Sequence, residues 1–109
     1  SWLQTTPVIA YKSSLPFLEE WFGHRHLPPP APKVIAEDWF AVARFVEQGQ
    51  GYGILPSDIR VDATLCHSHP VSFEVVEPLQ FFFVVHRSLA SVPAIQKLQD
   101  RLRLGLVSS

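Results

Sequence analysis

The period of the apolar positions changes several times along the chain. VIAY (8–11) is a short apolar run with β-branched residues, which predicts a strand. Leu15, Leu18 and Phe22 then recur at i, i+3 and i+7, one face of a helix. Ser13 or Ser14 caps that helix, Pro16 fits its first turn, and Gly23 is the expected stop. KVIAE (33–37) predicts a second strand. Asp38 is the natural N-cap of a second helix, whose buried stripe is Trp39, Val42, Ala43 and Val46. YGIL (52–55) reads as a short buried strand, and SDIRVDATL (57–65) as a short helix capped by Ser57 or Asp58. VSFEVV (71–76) alternates like a strand. LQFFFVVH (79–86) holds the consecutive apolar run Phe81 to Val85, which fits a strand buried on both faces and a sheet covered by helices. Ser91 and Pro93 open a last helix with Ile95, Leu98 and Leu102 on one face and Gly105 at its end. Between the first helix and the second strand, HRHLPPPAP (24–32) is a stiff extended connection. No internal repeat is apparent. Alternation of strand and helix predicts an α/β fold.

The glycines of FVEQGQGYGILPSD (45–58) test one chemistry directly. A dinucleotide-binding fingerprint runs strand, GxGxxG, helix, so that helix amides meet the phosphates. Here the order is helix, glycines, strand, and the third glycine position is Ile54. The run is therefore a joint. Gly49 is placed for a left-handed C-cap, and Gly51 and Gly53 for a sharp turn and close approach to neighbouring chain.

Composition narrows the classes further. The chain has 109 residues, 47% of them hydrophobic, and a formal net charge of -1. That amounts to one domain or a piece of one, folded, with no basic stripe for nucleic acid. No apolar run approaches the ~20 residues that span a bilayer. The single cysteine, Cys66, excludes an internal disulfide and fits a reducing compartment. The chain opens at Ser1, has no methionine and no signal peptide, and reads as a segment of a longer protein.

Candidate chemistry is sparse. Cys66, His67 and His69 lie close together, but a structural zinc site wants four ligands and no second cysteine exists, so a solvated loop is expected there and no metal. His24 and His26 read as surface residues and His86 as a hydrogen-bonded turn residue. There is no GxSxG elbow, and the acidic residues show no spacing of an acid–base pair, so no enzyme is expected.

The ordered set of motifs resembles the C-terminal part of the effector-binding domain of LysR-type transcriptional regulators. The likeness is carried by FAVARFVEQGQGYGILPSDI (40–59), where Val46, Gly49, Gly51, Gly53 and Leu55-Pro56 match the family's form. TPVIAYKSS (6–14) is similar to the strand entering the family's second subdomain. QFFFVVHRSLASVPAIQKLQDRLR (80–103) is similar to its return strand, Arg-containing turn and last helix. Departures are the proline-rich 28–32 and CHSHP (66–70). The family's winged helix-turn-helix, linker helix and most of its first subdomain have no counterpart in these residues.

The resemblance implies part of a two-lobed fold like that of type 2 periplasmic binding proteins. Residues 6–78 would form the second lobe, and 79–109 the return strand and last helix, which packs on the first lobe. The crossing segments would lie near 6–11 and 78–86. A small organic effector would sit between the lobes, at the carboxyl ends of the strands. That places Lys12, Ser13, Ser14, Asp38, Trp39, Phe40, Pro56 and Ser57 at the cleft. Free amides and hydroxyls at a helix start would suit a carboxylate, or Ser13 and Ser14 serve only as caps. Trp39 or Phe40 would pack on an effector ring, or Trp39 is core. Asp38 reads as a cap, and its charge opposes an anion. No cofactor is implied; DNA is contacted only through a domain outside this chain, in the cytoplasm. The alternative on the same fold is the solute-binding component of a transport system, with an enzyme of that fold a remote third. With the first lobe missing, strand 79–86 and helix 92–104 would expose apolar surface, which predicts a homodimer.

Overall fold

The computed structural model describes residues 7–28, 30, 32–71 and 80–107, with side chains as far as Arg101. The chain forms β1 (Val8–Tyr11), a 3₁₀ turn (Lys12–Ser14), α1 (Leu15–His24), β2 (Pro32–Ala36), α2 (Trp39–Glu47) and β3 (Tyr52–Pro56). β4 (Cys66–Val71), β5 (Phe81–His86) and α3 (Pro93–Val107) complete it. The expected strand 71–76 falls, beyond Val71, outside the described residues.

The five strands make one mixed sheet in the order β2-β1-β3-β5-β4. β1 runs parallel to both β2 and β3, whereas β5 is antiparallel to β3 and to β4. Strand parity sorts the side chains onto two faces. Val8, Ala10, Tyr52, Ile54, Phe81, Phe83 and Val85 share one face with Leu18, Trp21 and Phe22 of α1 and with Ile95 and Leu98 of α3. Ile9, Leu55, Cys66 and Val84 share the other with Val42, Ala43 and Val46 of α2. The fold is a three-layer α/β domain, and the apolar run of β5 is buried from both sides as its composition predicts.

Helix ends explain how the connections are set. Asp38 caps α2 by accepting the Ala41 N–H at 2.8 Å. α2 ends in a Schellman motif: Gly49, at φ 76°, donates to Val46 O, and Gln50 donates to Phe45 O. Beyond it, a Cβ on Gly51 would collide with the Pro7 carbonyl oxygen, and one on Gly53 would lie 3.0 Å from Val46 Cγ2. α1 departs from expectation here. Gly23 stays inside the helix, and the left-handed residue is His26, at φ 56°. His26 donates to Gly23 O and Leu27 to Phe22 O, the same two-bond motif, and Leu27 and Phe22 are buried in one cluster. That apolar clasp holds the ending where it is.

Three further expectations are corrected. Residues 57–65 form turns and no helix. The segment is pinned instead to α2: Glu47 accepts the Asp62 N–H at 2.8 Å and pairs with Arg44 at 2.9 Å, and Asp62 folds locally onto Thr64. Residues 66–70 form no loop but most of edge strand β4, because Cys66 to Val71 pair in register with His86 to Phe81. α3 continues through Gly105 to Val107.

The segments expected to cross between lobes are ordinary members of this sheet, with β3 between β1 and β5. Ile95 and Leu98 are buried against this chain's own sheet and α1, not held out for a first lobe. Phe81 and the run Phe83 to Val85 are likewise covered within the chain. These residues of the apolar surface on which the expected homodimer rested are therefore covered within the chain, while the Leu102 side chain lies outside the described residues. Among the described residues no helix is long and apolar enough to cross a membrane.

Candidate ligand-binding site

The sheet order reverses around β1. The chain leaves β1 through α1 to reach β2 on one side, then leaves β2 through α2 to reach β3 on the other. α1 and α2 therefore cover opposite faces and diverge at the carboxyl ends of the parallel strands. Such a reversal opens a crevice at that edge. A cavity of about 260 Å³ lies there.

Its walls come from β1 and the turn after it, the starts of α1 and α2, β3 and β5. The end of β1 and the following turn supply Tyr11, Ser13 and Ser14. The start of α1 supplies Phe17 and Leu18, and the start of α2 supplies Trp39. Ile54 comes from β3, and Phe81 from the first position of β5, opposite Pro56.

The aromatic side chains form a connected series. Phe17 lies 6.5 Å from Phe81, Phe81 lies 6.3 Å from Trp39 edge-on, and Trp39 lies 4.8 Å from Tyr11, measured between ring centroids. Ring pairs in this range are each worth about 0.5–1.5 kcal/mol beyond their buried area, so the walls hold their shape. Trp39 is half-buried and touches both core clusters, so it closes the sheet edge between the two faces.

Polar groups in the lining are few. Ser14, the expected cap of α1, has helical backbone angles and makes no side-chain cap bond. Its hydroxyl donates instead to the Tyr11 carbonyl at 2.8 Å. With its proton committed, that oxygen faces other groups as an acceptor. Ser13 is exposed at the rim. Among the described residues no charged side chain lines the cavity.

Of the cleft residues expected from sequence, Ser13, Ser14 and Trp39 come together here. Lys12 is exposed on the same turn, outside the lining. Asp38 is exposed and committed to its cap. Phe40 is 66% exposed, one position round the helix from Trp39 and outside the lining. Pro56 is buried in the sheet, and Ser57 spends its N–H on Gln80 O at 2.8 Å. Tyr11, Phe17, Leu18, Ile54 and Phe81 escape a sequence reading because each reads as ordinary core. The usable signal is strand parity: Ile54 and Phe81 share a face on neighbouring strands.

Other titratable groups lie elsewhere. Burial pushes the Tyr52 phenol well above its usual value; its ring stacks on Phe83 at 5.1 Å. Burial, with Glu47 and Asp62 nearby, pushes the Cys66 thiol up, so it stays a protonated core side chain. Asp62 is held below its usual range by two hydrogen bonds from Thr64. His86 Nδ1 accepts the Ser88 N–H at 3.0 Å, as expected of a hydrogen-bonded turn residue. Among the described residues no group of three or more His, Cys, Asp or Glu is placed to hold a metal ion. No protein-family model, curated protein or solved structure matches the chain.

Proposed function

We propose that this chain is the effector-binding lobe of a LysR-type transcription regulator, and that its cavity takes a small organic effector. The observation that carries the reading is the cavity at the carboxyl edge of β1, β2 and β3, walled by Ser13, Ser14 and Trp39. The mixed sheet with helices on both faces suits one lobe of a two-lobed binding fold. In this reading a first lobe closes over the same edge, and DNA is contacted by a separate winged-helix segment.

The mechanism is a population shift. An effector that contacts both lobes favours the closed arrangement by its differential affinity for the two states, and by no more than that. Trp39 is the side chain best placed to supply that difference, since it stands at the edge and touches both core clusters. The test is effector-dependent DNA binding by the full-length regulator with Trp39→Ala and with Ser14→Ala. Losing the Trp39 contact should raise the half-maximal effector concentration about 10-fold or more, corresponding to about 1.4 kcal/mol. DNA binding without effector should persist. If both variants respond to effector as the parent does, this cavity is not the effector site.

A further inference from the structure

We infer that the ligand of this cavity is a neutral, planar aromatic molecule bearing a hydrogen-bond donor, of the phenol or indole class, and not a ring carboxylate. The inference rests on the reading of the cavity as a ligand site and narrows it. Three observations carry it.

The first is the wall. Tyr11, Trp39, Phe81 and Phe17 follow one another in ring contact, and Leu18 and Ile54 fill the remaining apolar surface. Such a wall offers stacking and edge contacts to a flat ring and little to a compact polar solute. The second is size. A cavity of about 150 Å³ lined by aliphatic and aromatic groups takes up benzene. At about 260 Å³, this one has room for a substituted or fused ring.

The third is the polarity of what is left. The half-buried Ser14 hydroxyl gives its proton to the Tyr11 carbonyl and so presents lone pairs. Lone pairs welcome an N–H or O–H and repel a carboxylate oxygen. No cation among the described residues lines the cavity, and Lys12 lies on the same turn but exposed and outside the lining. An ionised carboxylate drawn among the apolar walls, inward of the exposed Ser13 at the rim, loses hydration that no cation there replaces. The ligand's ring therefore lies among the aromatic side chains with its donor turned to Ser14.

The experiment is an amide chemical-shift titration of the 109-residue chain at neutral pH with indole, phenol, anisole and benzoate. Indole and phenol should move Ser14, Phe17, Trp39 and Phe81 together, with dissociation constants in the millimolar range or below, as small rings allow. Benzoate should bind the same residues at least about tenfold more weakly than phenol. Anisole, which keeps the ring and loses the donor, should also be weaker than phenol. Benzoate binding as tightly as phenol at these residues overturns the inference and leaves the ligand-site reading standing. Anisole binding as tightly as phenol overturns the requirement for a donor. If none of the four probes moves these residues, the inference and the ligand-site reading fall together.

Discussion

Gly53→Ala tests how closely α2 lies on the sheet. The added Cβ would stand 3.0 Å from Val46 Cγ2 and 3.2 Å from Val42 Cγ1, and both valines are fully buried. Two effects compete. Removing a glycine from a strand reduces the freedom of the unfolded chain, which stabilises by about 0.4–1 kcal/mol. Forcing a methyl into a packed interface costs about 1–3 kcal/mol. The contacts are tighter than ordinary van der Waals distance on two sides, so the second effect wins, with a net loss of about 1–2 kcal/mol. Val46→Ala alone should cost about 2 kcal/mol, from two buried methyl groups and the space they leave. In the double variant the methyl added at position 53 occupies the space left by Val46 Cγ2. The double should therefore be at least about 1 kcal/mol more stable than the sum of the singles predicts, with Val42 limiting the relief. Urea unfolding reads this out: with a slope of about 1–3 kcal/mol per molar, Gly53→Ala should lower the midpoint by roughly 1 M. Gly51→Ala is the control, since its Cβ meets the Pro7 backbone and no trimming of Val46 can help. A Gly53→Ala midpoint at or above that of the parent, or strict additivity in the double, would refute this account of the interface.

Further outcomes follow from local geometry. His26→Gly should stabilise by about 0.5–1 kcal/mol in the same urea assay, because a left-handed position at φ 56° is strained for any side chain. Asp38→Ala should cost about 1 kcal/mol by uncapping α2, and Asp38→Asn should cost much less. The folded state raises the Tyr52 phenol pKa above its usual 10.0, so the protonated form is favoured on folding. Stability is then unaffected below pH about 9 and falls as pH rises through the unfolded value. Tyr52→Phe should flatten that alkaline decline; an unchanged decline would mean that another group causes it.

Sequence pattern is enough for the elements whose local and tertiary preferences agree. α2 is the clearest: cap, stripe and left-handed glycine all point one way, and Asp38, Val42, Val46 and Gly49 occupy the predicted positions. β5 is legible because only a doubly covered strand explains Phe81 to Val85. Where the two preferences part, pattern fails. CHSHPV has almost no strand character, yet it pairs along its whole length with β5, and only the neighbour makes it a strand. Gly23 is locally the better helix stop, but the Phe22–Leu27 contact moves the ending to His26. The candidate site is half legible. Ser13, Ser14 and Trp39 follow from the rule that ligands gather at strand ends, whereas Ile54 and Phe81 depend on which face of the sheet each side chain takes, and Phe17 on which face α1 covers.

The position of β5 also orders events during synthesis. β1, β2 and β3 with their helices are made before β4 and β5 and lie side by side, β2 and β3 flanking β1, so they can associate while the ribosome is still adding residues. β4 comes next but has no neighbour among them; its pairing partner is β5. Until residue 86 has left the exit tunnel, β3 presents an open edge and β4 waits unpaired. One late strand then closes both gaps at once, in a step that joins distant parts of the chain and is slow for that reason. A nascent chain that stalls before Phe81 carries an unsatisfied sheet edge, the surface on which chaperones and aggregation compete.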